Sequence, residues 1–110
     1  MFNRKIFLGF VFSVLFFSLV FSQSVKAGDA FVFNRNLQYG TIHQDVKELQ
    51  KFLNNSGFVV DATGIGSPGK ESTYFGSLTQ KALAKFQKAN KISPTVGYFG
   101  PITRRVVNSQ

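Results

Sequence analysis

Tyr74-Phe75-Gly76-Ser77-Leu78-Thr79-Gln80-Lys81-Ala82-Leu83 is answered 24 residues along by Tyr98-Phe99-Gly100-Pro101-Ile102-Thr103-Arg104-Arg105-Val106-Val107. Tyr, Phe, Gly and Thr coincide, while Leu/Ile, Lys/Arg and Leu/Val exchange within type. Each copy reads as an aromatic pair, a glycine turn and the first turns of a helix. Gly76 and Gly100 let the backbone turn where a side chain would clash. Phe75 and Phe99, set just before the turn, are placed to pin each helix start to a core. Thr79 and Thr103 fall in the first helical turn, where backbone N–H groups lack intrahelical partners.

Upstream of the first copy a further helix is expected. Thr41-Ile42-His43-Gln44 has capping-box spacing. Val46, Leu49, Phe52 and Leu53 then recur at helical spacing, with Lys47, Glu48, Gln50 and Lys51 toward water. Asn54-Asn55-Ser56-Gly57 closes the helix, Gly57 being suited to a left-handed C′ position. Residues 61–73 hold Gly64, Gly66, Pro68 and Gly69 and read as a long irregular loop. Ser77 and Gln80 repeat the capping-box spacing. The second helix puts Leu78, Ala82, Leu83 and Phe86 on one face and Lys81, Lys85 and Lys88 on another, ending near Asn90; Pro94 bars continuation. The third opens at Gly100-Pro101, with proline where its missing N–H costs nothing. Ile102, Val106 and Val107 are expected inward, Arg104 and Arg105 outward.

The fold class expected is therefore all-α, a compact three-helix bundle with one long irregular loop. Its core is drawn from Val46, Leu49, Phe52, Leu53, Phe58, Phe75, Leu83, Phe86, Ile92, Phe99, Ile102 and Val106. Residues 28–36 form an extended arm ahead of a domain over 37–110.

The chain has 110 residues, a net charge of +8 and no cysteine. It begins with a basic head, Met1 to Lys5, followed by an apolar run from Ile6 to Phe21 broken only by Gly9, Ser13 and Ser18. A polar stretch then ends in Val25 and Ala27, small residues at the −3 and −1 positions of a cleavage site. This is the layout of a signal-peptide helix over 1–27, with cutting expected after Ala27. The run is shorter than the roughly 20 apolar residues of a spanning helix. Membrane contact is expected only through 1–27 if that segment stays attached. The location expected is secreted or cell-envelope, in periplasm or wall. Arg4, Lys5 and Lys26 leave with the leader, so ten cations and all five acids remain, a net +5. A basic domain outside the cell suits anionic partners. Without cysteine there is no disulfide or thiolate metal site, and the small domain relies on packing.

The ordered pieces resemble a known family. Asp45-Val46-Lys47-Glu48-Leu49-Gln50-Lys51-Phe52-Leu53, Gly57-Phe58, Phe75-Gly76 with Thr79, Ala82-Leu83 and Phe86-Gln87, and Gly97 with Phe99-Gly100 and Thr103 together look like the peptidoglycan-binding-domain-like family. The resemblance spans about Leu37 to Val107. It implies a non-catalytic, exported module that attaches to peptidoglycan or another anionic cell-wall polymer. Most of the signature (Leu49, Gln50, Phe75, Gly76, Thr79, Phe86, Gln87, Phe99, Gly100, Thr103) reads as scaffold, with Gln50 and Gln87 able to tie helix to loop. The sequence departs from the family where an Asp-Gly pair often precedes each turn; Ser72-Thr73 and Val96-Gly97 stand there instead.

Candidate ligand contacts are Tyr74 and Tyr98, each offering an apolar ring face and a hydroxyl, and Lys81, Lys85 and Lys88 (with Lys91) as a basic stripe. No catalytic set is legible. His43 is the single histidine, whereas a catalytic zinc takes about three protein ligands. No serine sits in a nucleophile elbow, and Gly64-Ile65-Gly66 lacks the later glycine of a dinucleotide loop. The expectation is no enzyme, no metal, no cofactor, a monomer, and no nucleic-acid partner given the export signal. The alternative function is a membrane-anchored or secreted structural module, contacting proteins and without wall affinity.

Overall fold

The computed structural model describes residues 30–110. The expected leader and the first two residues of the arm lie outside the described residues. Three helices form: α1 over Gln44–Asn55, α2 over Ser77–Ala89 and α3 over Pro101–Asn108. The fold is all-α, as expected. Among the described residues the extended pieces meet only in two isolated antiparallel bridges, Leu37 with Phe99 and Ile42 with Tyr74.

The capping boxes expected at the first two helices do not form. At α1, His43 is the N-cap, its Nδ1 accepting from the Asp45 N–H at 3.0 Å. The Thr41 hydroxyl is occupied by the Gln38 N–H at 3.2 Å, so the Thr41–Gln44 box does not form. At α2 and α3 the N-caps are Gly76 and Gly100, with no side-chain cap. Ser77 is thus the first helical residue of α2, and its pairing with Gln80 is not a capping box. Pro101 occupies the first position of α3 as expected.

The buried face of α1 is Val46, Leu49, Gln50, Leu53 and Asn54; that of α2 is Thr79, Ala82, Leu83, Phe86 and Gln87. Both are i, i+3, i+4, i+7, i+8 stripes, and both contain polar members. Gln50 is 1% exposed rather than facing water. The same rotation turns Leu78 (43% exposed) off the expected apolar face of α2 and Ile102 (54% exposed) out of the expected core. Thr103 and Val107 take the inward places on α3.

The core gathers Leu49, Leu53, Leu83 and the fully buried Phe75, Phe86 and Phe99. Burial of each such side chain contributes about 1.5–3 kcal/mol. Phe52 and Phe58 pack edge-on against Phe86, at ring-centroid distances of 5.4 and 5.5 Å. Residues before α1 supply core that the sequence reading left out, Phe33 and Leu37. Leu37 exchanges both backbone hydrogen bonds with Phe99, at 3.0 and 2.9 Å. Phe33 packs edge-on against Phe99 at 5.0 Å, and its N–H and C=O both bond the Asn108 side chain at 2.9 Å. Val60 is a further addition, while Ala82 and Val107 are buried on the faces expected to turn inward.

Asn54 explains how the long loop is held. Its Nδ2 donates to the Gly66 carbonyl and to Glu71 Oε2, both at 2.9 Å, while its Oδ1 accepts from the Val60 N–H at 2.8 Å. The Asn54 amide, aided by backbone N–H groups and Lys51, holds the Glu71 carboxyl below its ordinary 4.5 against an opposing desolvation effect. A depressed folded-state pKa contributes stability above the unfolded value and loses it as pH falls through the folded one. Carboxyl-carbon NMR is expected to show Glu71 titrating below 4.5, and Asn54→Ala to move it back up. An unmoved titration in that variant would remove Asn54 as the cause.

Candidate functional site

The helices are joined by two copies of one hydrogen-bonded clamp. Gln50 on α1 donates through Nε2 to the Tyr74 carbonyl (3.1 Å) and Thr79 Oγ1 (2.9 Å), and its Oε1 accepts from the Ser72 N–H (2.6 Å). Gln87 on α2 donates to the Tyr98 carbonyl (2.8 Å) and Thr103 Oγ1 (3.0 Å), and accepts from the Gly97 N–H (2.9 Å). Each glutamine therefore fixes the turn that launches the next helix. Among the described residues no buried side-chain nitrogen or oxygen lacks a partner, as buried polar groups require. The copies differ at one point. The N–H donor lies two residues before Tyr74 in the first but directly before Tyr98 in the second.

The glycine of each turn is explained by the tyrosine two residues earlier. Gly76 and Gly100 have ordinary negative φ, −98° and −105°, so no left-handed backbone demands glycine. A Cβ there would lie 2.9 Å from the Tyr74 ring and 2.6 Å from the Tyr98 ring. The bare backbone is the seat on which each ring rests.

Each tyrosine is half-exposed (46% for Tyr74, 40% for Tyr98) and walls a cavity. The first, about 320 Å³, lies between α1 and the start of α2, lined by Gln50, Val60, Ile65, Ser72, Tyr74 and residues 76–79. The second, about 200 Å³, lies between α2 and the start of α3, lined by Gln87, Ile92, Ser93, Pro94, Val96, Tyr98 and residues 100–103. The two sites repeat as the sequence does. Tyr74 is also bridged to Ile42, and its phenol is raised above the ordinary 10.0 by a hydrogen bond with Tyr39. It remains a neutral hydroxyl at neutral pH.

Lys81, Lys85 and Lys88 project from α2 into solvent, and Lys91 follows the helix. None lines either cavity. α2 carries no acidic residue, and the ion pairs among the described residues lie elsewhere: Arg35 with Asp45 at 3.2 Å and Lys51 with Glu48 at 3.3 Å. His43 is occupied as the cap of α1. Among the described residues no three His, Cys, Asp or Glu side chains gather as metal ligands, and no helix is long and apolar enough to cross a membrane. Sequence reasoning placed both tyrosines at matching positions but missed the cavities. Their signal was the matched apolar pair Leu78 and Ile102, both expected to face inward but exposed as cavity walls.

A small three-helix domain with paired glutamine clamps and aromatic–glycine turns is a recognisable class. The family model described as "Putative peptidoglycan binding domain" matches residues 42–107, and the chain belongs to that family. Among solved structures it is similar to the crystal structure of SleB N-terminal domain, at 30% identity and a TM-score of 0.57, covering 72% of this chain and 96% of that one. No curated protein matches it.

Proposed function

We propose that this chain is an exported, non-catalytic module that attaches to bacterial peptidoglycan through the two tyrosine-walled cavities. The observation that carries the reading is the duplicated site itself, in a domain whose family is described by peptidoglycan binding. A tyrosine ring seated on a bare glycine presents a fixed apolar face with a hydroxyl at its edge, which suits a sugar ring or an acylated amine. The lysines of α2 act at longer range, drawing the basic domain toward carboxylates or other anions of the wall. The only histidine is committed to a helix cap, in keeping with binding rather than catalysis. The apolar run of residues 6–21 supports export, with release after Ala27 leaving a monomeric domain in the cell envelope.

Sedimentation with purified sacculi tests this reading. The full protein is expected to co-sediment at about 0.15 M salt and to remain largely bound at about 0.5 M, because screening weakens exposed charge contacts but not ring stacking. Retention no greater than that of a charge-matched unrelated protein would overturn it.

A further inference from the structure

The two cavities are copies in architecture but not in chemistry. From the tyrosine onward they align residue for residue, Tyr74 with Tyr98 and Thr79 with Thr103, and both threonine hydroxyls are engaged by a glutamine. Between them Ser77 of the first cavity becomes Pro101 of the second. That exchange removes a hydroxyl and a backbone N–H at a helix start, where donors are otherwise free. On the opposite wall the first cavity has Ser72 where the second has Val96. The second cavity is also the smaller, about 200 Å³ against about 320 Å³, and its loop wall adds Ser93 and Pro94.

From this divergence, and resting on the peptidoglycan reading above, we infer that the Tyr74 cavity is a subsite for an acetamido-sugar and the Tyr98 cavity a subsite for the methyl group of an alanyl peptide. A sugar unit presents several hydroxyls and an amide that need partners, and Ser72 and Ser77 supply them beside a stacking ring. A site that hydrogen-bonds such groups rejects analogues lacking them, because its own polar groups would be left unpaired. Beyond Ser93, the Tyr98 cavity offers little to a polyhydroxylated ring. It suits a small apolar group, whose burial costs no hydrogen bond.

Methyl-resolved NMR on the full protein separates the two subsites. An N-acetylglucosamine tetramer at millimolar concentration is expected to shift the methyls of Val60, Ile65 and Leu78 and leave Val96 and Ile102 unmoved. An N-acetylated D-alanyl-D-alanine peptide is expected to do the reverse, and its glycyl analogue to bind about tenfold more weakly, the usual worth of one methyl in an apolar slot. Ser77→Ala is expected to weaken the sugar alone and Pro101→Ser the peptide alone. Both probes shifting the same cavity, or neither shifting either while sacculi still retain the protein, would overturn the division of labour. Loss of sacculus retention as well would instead bring down the binding function on which it rests.

Discussion

Replacing Gln87 by alanine is expected to lower the unfolding free energy by about 3–5 kcal/mol, read as a fall in the urea midpoint. The substitution strands the Gly97 N–H and the Tyr98 carbonyl and removes the donor to Thr103 Oγ1. Each buried group left without a partner costs about 1–3 kcal/mol, and the space vacated adds to that. Small domains hold only about 5–15 kcal/mol in total, so most molecules of this variant should lie near the edge of unfolding. Gln50→Ala should behave alike, since its three bonds match those of Gln87. Gln87→Glu is a sharper probe. It keeps an acceptor for Gly97, but when ionised it has no proton for the Tyr98 carbonyl. Its stability should therefore worsen as pH rises through the carboxyl's titration. A midpoint for Gln87→Ala within about 0.5 kcal/mol of the parent, the range of an ordinary surface change, would show that the clamp does not hold the fold.

Gly97→Ala should be comparably severe for a different reason. Gly97 has φ +79°, a left-handed conformation that costs an L-residue about 1–2 kcal/mol. A Cβ there would also fall 2.5 Å from both the carbonyl oxygen and Cγ of Gln80. The carbonyl belongs to helix α2 and has little room to retreat, so overpacking adds about 1–3 kcal/mol. The sum expected is about 2–5 kcal/mol. Gly40→Ala is the control: φ is +93°, but nothing lies within 4 Å of its added carbon, so only the backbone cost remains. Equal losses in the two variants would show that the approach to Gln80 is not a constraint.

Much of this architecture was written in the repeat. Phe75 and Phe99 are fully buried before their turns, and Pro101 opens α3. What the hydrophobic pattern misplaced was rotation. The inward stripe of α1 includes Gln50 and Asn54, and that of α2 includes Thr79 and Gln87. A search for apolar residues alone turns each face by about one position, which is why Leu78 and Ile102 were assigned inward. Their side chains instead wall the cavities, where a ligand would cover them. The capping boxes failed because a serine or threonine at the right spacing says nothing of competing partners. Thr41 is taken by Gln38, and at α2 the bare Gly76 that seats the Tyr74 ring is the cap in place of Ser77. Phe33 and Leu37 escaped notice because their burial depends on long-range partners, Phe99 and Asn108, that no local period reveals.

The most direct test is sedimentation with sacculi of the parent protein beside a Tyr74→Ala/Tyr98→Ala variant. Both rings are half-exposed, so the variant should keep its unfolding midpoint close to the parent's. The expected result is firm retention of the parent and an affinity at least about tenfold weaker in the variant, the loss typical of removing central aromatic contacts. Equal retention of the two proteins, with both folded, would contradict the claim that these cavities bind the wall.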